Sequence, residues 1–155
     1  MPFHDASTIL EPYRPADEIS IRQLLTAADL VTDDLLKGIW PNFVVLRIND
    51  RLAGAAAIQP CSPIIGLLRS VVLDPKARQL GLGRMLVEEA ENLAQSDGLR
   101  DIFLLTHTAA PFFTHLGYRP IARREAPATI QSTPEFQQLC PDSAVVMRKM
   151  ISLGL

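Results

Sequence analysis

The sequence predicts an α/β (α+β) fold, on three observations. The chain has 155 residues, 48% of them hydrophobic and 21% charged, which is enough for one domain with a core of its own. Apolar, β-branched runs of strand length recur at 42–48, 52–59, 64–73 and 101–105, whereas 82–95 changes to a helical period. Between the strand run and the helical run lies Leu73-Asp74-Pro75-Lys76-Ala77-Arg78-Gln79-Leu80-Gly81-Leu82-Gly83-Arg84, a strand end, a short loop and a helix start.

In chain order, 8–11 reads as a short first strand, and Pro12 and Pro15 delay the first helix to about Ala16. Ile19, Leu24, Leu25 and Ala28 give that helix its apolar stripe, with Asp17 and Glu18 near its positive end. A second short helix is expected at 33–37, closing at Gly38. Trp40 before Pro41 either caps a cleft or finishes this helix. The runs 42–48 and 52–59 form a hairpin turning at Asn49-Asp50-Arg51, and Pro60 and Pro63 bracket the turn into the fourth strand. The small residues 53–57 allow a neighbour to pack closely.

The run 64–73 is almost continuously apolar, as in a strand covered on both faces, and Asp74-Pro75 stops it. Leu82, Met85, Leu86, Ala90, Leu93 and Ala94 then form one helical face, with Arg84, Glu88, Glu91 and Gln95 opposite, up to about Gly98. A fifth strand at 101–105 leads through Thr106-His107-Thr108 into a short helix at 109–115 that ends at Leu116-Gly117. The sixth strand is expected at 118–122, an excursion with a short helix at 134–138 follows, and 144–150 is the seventh strand. Arg123-Arg124-Glu125 reads as a solvated charge run.

Gly81 and Gly83 fall at the first turn of the long helix, where unpaired N–H groups carry partial positive charge and no Cβ keeps an anion away. Arg78 and Arg84 add charge at the rim. The loop is therefore a candidate pyrophosphate cradle, with tight packing as the plain alternative. A P-loop would need Gly-Lys-Ser/Thr, and a dinucleotide fingerprint a third glycine with an acidic residue after the next strand; neither occurs.

The formal net charge of -2 argues against a nucleic-acid partner. Residues 1–10 lack a basic region followed by an apolar run, and no apolar segment reaches membrane-spanning length, so no membrane role is expected. Cys61 and Cys140 are too few for a disulfide framework, which makes a reducing, cytoplasmic compartment the expectation. The histidines and cysteines show no metal-ligand spacing.

Arg78-x-x-Gly81-x-Gly83, between an apolar strand ending Asp-Pro and an amphipathic helix, resembles motif A of the Gcn5-related N-acetyltransferases (GNAT). Ala110-x-Phe112-Phe113-x-x-x-Gly117-Tyr118 is similar to motif B of the same family, usually worded Phe-Tyr-x-x-x-Gly-Phe, and the spacing of the two motifs also matches. The resemblance covers 9–149. It implies one domain over 1–155 with a central mixed, mostly antiparallel sheet of six to seven strands and helices on both faces. Leu67-Leu68-Arg69-Ser70, Leu104-Leu105-Thr106 and Thr133-Pro134-Glu135-Phe136 through Cys140-Pro141 to Ser143-Ala144 look like acetyltransferases associated with arsenic resistance, and like small amino-acid acetyltransferases of the N-acetylglutamate synthase type.

The resemblance implies acetyl-CoA as cosubstrate, no metal, and a small-molecule amine as acceptor: an amino acid or an arsenical or phosphinate analogue. The pyrophosphate would lie on Arg78, Gln79, Leu80, Gly81, Leu82, Gly83 and Arg84. Backbone N–H groups at Val71, Val72 and Leu73 would polarise the thioester, with the pantetheine arm between strands four and five and Phe113 against the cofactor. Two of the family's usual groups are missing. The fourth strand, 64–72, has no carboxylate to serve as general base, and Phe113 stands where a tyrosine usually serves as general acid. Water could relay these protons. His107, after the fifth strand, is the remaining titratable candidate, against the alternative of a loop histidine without a role. His115 reads as solvated, His4 as part of a mobile terminus, and Cys140 as a small buried hydrophobe.

Arg69 interrupts an apolar strand, and a buried guanidinium must be paired. Either it makes a structural ion pair or, with Thr106, it takes the acceptor's carboxylate. The fold supports a second function class, a non-catalytic acyl-CoA-binding or sensing module. A homodimer is the one assembly retained, and the sequence does not fix the oligomeric state.

Overall fold

A computed structural model describes residues 7–30, 32, 35, 38, 40–138 and 143–151. Seven strands form a mixed sheet in the order β1-β2-β3-β4-β5-β7-β6: β1 (Thr8–Pro12), β2 (Asn42–Ile48), β3 (Arg51–Pro60), β4 (Ile65–Leu73), β5 (Asp101–Thr106), β6 (Arg119–Ile121) and β7 (Val145–Met150). The helices are α1 (Glu18–Ala27), α2 (Leu82–Ser96), α3 (Ala110–His115), α4 (Ala128–Gln131) and α5 (Pro134–Gln138). The chain resolves into two compact units, one of Met1–Ala57 with Ser70–Ala90, the other of Ile58–Arg69 with Glu91–Leu155.

In the first unit, β1 runs antiparallel to β2 from Thr8↔Ile48 to Pro12↔Val44. A 3-10 turn at Pro15–Asp17 comes before α1, so the expected start at Ala16 becomes Glu18. The β2–β3 turn is Asn49-Asp50 alone, with φ of 51° and 66°. Two left-handed residues match the twist of a hairpin, and Arg51 is thereby released into β3. Pro60 also belongs to β3, where the sequence suggested a turn. Ile21, Leu25, Leu35, Phe43, Val45, Ala55, Ala57 and Val72 form this unit's core, where apolar burial supplies the main driving force. Trp40 packs there: its ring stacks on Tyr13 at 5.6 Å and tilts against Phe43 at 5.6 Å. The expected helix at 33–37 lies mostly outside the described residues.

The run of small residues in β3 has a tertiary cause at Gly54. A Cβ there would stand 2.8 Å from Leu73 Cδ2 and 3.0 Å from the Val72 carbonyl oxygen. Arg47 on β2 binds Glu11 at 2.5 Å through Nε and Asp17 at 3.0 and 2.7 Å through its two terminal nitrogens. This fork ties the strand to the turn before α1.

In the second unit, β4 pairs with β5 in parallel over Ile65↔Asp101, Gly66↔Ile102 and Leu67↔Phe103. β5 runs antiparallel to β7 over six pairs from Asp101↔Met150 to Thr106↔Val145, and β7 carries the short β6. Leu67, Phe103, Ala126, Ile130, Phe136 and Val146 are its core. The excursion after β6 holds two short helices, α4 and α5, where the sequence suggested one.

The helical face of α2 needs two corrections. Met85 is 43% exposed, and Val87 is fully buried in its stead beside Leu82, Leu86, Ala90 and Ala94. Glu91, expected on the solvent face, is partly buried and holds Lys149 at 3.0 and 3.1 Å and the Tyr118 hydroxyl at 2.8 Å.

Candidate active site

Ser70 on β4 has φ of 58° although it is no glycine and is buried. A left-handed residue inside a strand costs about 1–2 kcal/mol. It falls after Leu67, the last β4 residue in the β5 register, and before Val71, Val72 and Leu73. Of these three, Val72 puts its side chain into the core, while Val71 and Leu73 are half-buried.

Asp74 ends the strand and accepts the Lys76 N–H at 2.9 Å, which starts the 3-10 turn Pro75–Leu80. Gly81 follows with φ of 71°, and nothing lies within 4 Å of the Cβ position there. The glycine is therefore needed for its backbone angle, and the space beside it is open. Leu82 begins α2, whose first N–H groups have no partner within the helix. Gly83 is buried in that first turn. Arg78 is exposed; Arg84 is exposed too and pairs with Glu88 at 3.2 Å. Gln79 and Leu80 belong to the 3-10 turn, with side chains outside the description. The loop thus combines a helix start, where the first N–H groups have no partner within the helix, an open glycine and cationic side chains, a set suited to a phosphate-bearing ligand.

The other predicted residues belong to the second unit. Arg69 has no exposed side-chain surface; its Nη1 donates to Gln59 Oε1 at 3.1 Å and its Nε lies 3.4 Å from Glu135 Oε2. That is the geometry of the structural-pair alternative. Thr106 Oγ1 accepts the Ala109 N–H at 3.0 Å, closing the turn into α3, and exposed His107 lies on that turn. Phe113 is buried, edge-on to Phe112 at 5.0 Å and to Tyr118 at 5.8 Å.

Three groups have environments that the sequence reading did not give them. Tyr118, Glu91 and Lys149 form a hydrogen-bonded cluster beneath Phe113, with Lys149 also donating to the Leu116 carbonyl at 2.8 Å. Burial and the charge of Glu91 drive the Tyr118 phenol pKa far above its ordinary value. Arg123 is not solvated as expected: its guanidinium lies 4.1 Å from the Phe136 ring centroid and donates to the Phe136 carbonyl at 3.0 Å. Burial pushes the Cys61 thiol pKa up. Cys140 and His4 lie outside the described residues. Among the described residues no group of three or more His, Cys, Asp or Glu could hold a metal, and no helix is long and apolar enough to cross a membrane.

A family model for the acetyltransferase (GNAT) domain matches residues 40–120, more than half of the chain. The chain belongs to the GNAT family. Within it, an uncharacterized N-acetyltransferase of Chlorobaculum tepidum is 30% identical over 89 residues, 57% of each chain. An amino-acid acetyltransferase of Pseudomonas aeruginosa is 26% identical over 137 residues, which is 86% of this chain and 30% of that protein. The chain therefore spans a little over half the length of the first GNAT relative and under a third of the second. Among solved structures, N-acetylglutamate synthase from Neisseria gonorrhoeae, complexed with coenzyme A and N-acetyl-glutamate, superposes with a TM-score of 0.79 at 18% identity. It covers 95% of this chain and 36% of that one. A GNAT-family acetyltransferase of Staphylococcus aureus superposes with a TM-score of 0.78 at 16% identity, over 94% of this chain and all of that one. These likenesses establish the GNAT fold, with its seven-stranded mixed sheet.

Proposed function

We propose that this protein is an acetyl-CoA-dependent N-acetyltransferase for a small amino acid, acting in the cytoplasm. The observation that carries the reading is the loop: a strand ending at Asp74, an open left-handed Gly81 and a helix start at Leu82 within a GNAT domain. The amino-acid class is supported by relatives that are named amino-acid acetyltransferases and by a neighbour complexed with coenzyme A and N-acetyl-glutamate.

In this reading the pyrophosphate sits on the N–H groups of 78–84, with Arg78 and Arg84 screening its charge. The main chain at Val71, Val72 and Leu73 donates to the thioester oxygen, where negative charge develops as the amine nitrogen attacks. The tetrahedral adduct collapses, the C–S bond breaks, and the nitrogen loses one proton while the thiolate gains one. Buried Phe113 carries no proton, so water serves as the acid, and water or His107 accepts the amine proton. Arg69 acts here as a positioning residue, pairing with Glu135 of the excursion, while Thr106 fixes the turn that carries His107.

The test is thiol release from acetyl-CoA across a panel of amines: neutral and acidic amino acids, and arsenical and phosphinate analogues. Turnover with an amino acid supports the reading, and a failure of acetyl-CoA to bind in calorimetry removes its basis. A second reading, a non-catalytic acyl-CoA sensor, is favoured by the absent hydroxyl at Phe113 and the carboxylate-free strand at 64–72. It predicts acetyl-CoA binding without turnover over the whole panel.

A further inference from the structure

An open cavity lies within the first unit, where the tip of the β2–β3 hairpin meets the turn that leads into α2. Ile48, Leu52, Ala53 and Ala77 give it an apolar lining, and Arg51 and Lys76 line it with exposed side chains. The Asp74 N–H donates to the Ala53 carbonyl at 2.7 Å, so the hairpin and the turn are tied together beside it. The Asp74 carboxylate, also in the lining, accepts the Lys76 N–H at 2.9 Å. Neither Arg51 nor Lys76 has a side-chain hydrogen bond or ion pair among the described residues.

Size, charge and reach together select an occupant. The cavity volume of about 210 Å³ falls below the roughly 300–1,000 Å³ that encloses a whole drug-sized ligand, so it holds one ring-sized part of a larger molecule. Two cations without a partner in the described protein favour an anionic group beside that ring. Ala77 in the cavity wall and Gly81 in the loop are four residues apart, a separation of no more than about 14 Å along the chain. The 3-10 turn between them shortens it further. Beyond its pyrophosphate, coenzyme A carries adenine and a 3′-phosphate on one ribose: a flat ring and a dianion, both a short reach from the diphosphate.

We infer that this cavity seats the adenine of coenzyme A and that Arg51 and Lys76 bind its 3′-phosphate. The inference rests on the acetyltransferase reading above and extends the cofactor site from the glycine loop to the hairpin. The ring faces leave water for an apolar wall, while the phosphate stays at the open side against the two charges.

The experiment measures coenzyme A and 3′-dephospho-coenzyme A by calorimetry at low ionic strength, in wild type and in the double variant Arg51→Gln, Lys76→Gln. Both side chains are exposed, so the variant should melt with wild type. Wild type is expected to prefer coenzyme A roughly tenfold, and the variant to lose that preference while binding the dephospho form as wild type does. A second measurement follows the fluorescence of 1,N6-etheno-coenzyme A with acrylamide as quencher. Binding to wild type should shield the base. Equal affinities of wild type for the two ligands, a preference that survives in the double variant, or a bound base quenched as freely as in solution each overturn the inference and leave the acetyltransferase reading intact. If wild type binds neither ligand, that reading falls and the inference falls with it.

Discussion

The Tyr118 hydroxyl donates a 2.8 Å hydrogen bond to Oε2 of Glu91, and Lys149 Nζ binds both oxygens of the same carboxylate at 3.0 and 3.1 Å. One acid thereby joins the end of motif B to β7. Tyr118→Phe keeps the ring packing and the Lys149 pair and removes a buried hydrogen bond to a charged group, so it is expected to cost about 1.5–3 kcal/mol in urea unfolding. An alkaline absorbance titration reports the same environment. Both tyrosines of the chain, Tyr13 and Tyr118, have raised phenol pKa values, Tyr13 chiefly through burial, so no ionisation step is expected near the ordinary value of about 10 while the protein stays folded.

Arg47 holds the carboxyls of Glu11 and Asp17 below their usual ranges, its own hydrogen bond being the largest cause in each case. The folded-state values are depressed, so the stabilisation is complete above the unfolded values of about 4 and is lost as pH falls through the folded ones. Unfolding measured from about pH 7 to pH 2 should show wild type losing stability below about pH 4. Asp17→Asn should be less stable by about 1–3 kcal/mol at neutral pH and should converge on wild type in acid. A constant difference across that range would contradict this account.

Two glycines separate crowding from backbone angle. Gly54→Ala puts a methyl against Leu73 and the Val72 carbonyl and should cost about 1–3 kcal/mol through overpacking. Gly81→Ala meets nothing within 4 Å, so its cost is that of a left-handed alanine, about 1 kcal/mol. If the loop holds the pyrophosphate, Gly81→Ala should weaken acetyl-CoA binding in calorimetry by more than its small effect on melting would suggest.

Arg69→Met removes a fully buried cation and breaks its pair with the mostly buried Glu135 carboxylate, a change expected to cost about 3–5 kcal/mol. Chemical denaturation measures the loss, and acetyl-CoA affinity in the folded fraction should be unchanged. A variant as stable as wild type, with a raised acceptor KM, would return Arg69 to direct acceptor binding.

The hairpin at Asn49-Asp50, the strand runs, the glycine loop and the start of α2 could be read from the sequence because each is built by neighbours in the chain. β3 and β4 held their places to within one or two residues, and the loop at 78–84 has the left-handed glycine that its wording requires. The left-handed backbone at Ser70 was not legible: its wording is that of an ordinary strand residue. The helical period placed α2 but assigned Met85 and Glu91 to the wrong environments, because a period fixes a stripe and not its edges.

The sequence by itself determined the fold class and the glycine-bearing loop before the long helix, since strand length, helical period and the conformational freedom of glycine act over a few consecutive residues. Only the tertiary structure decided what the charged residues do. Arg69 meets Gln59 ten residues back, Arg123 meets the Phe136 carbonyl thirteen residues on, and Glu91 meets Tyr118 and Lys149 at separations of 27 and 58. A charge in a sequence carries no sign of whether water or a distant acid will balance it. Burial makes that choice, and here it leaves the Arg123 Nη1 without an acceptor from the protein.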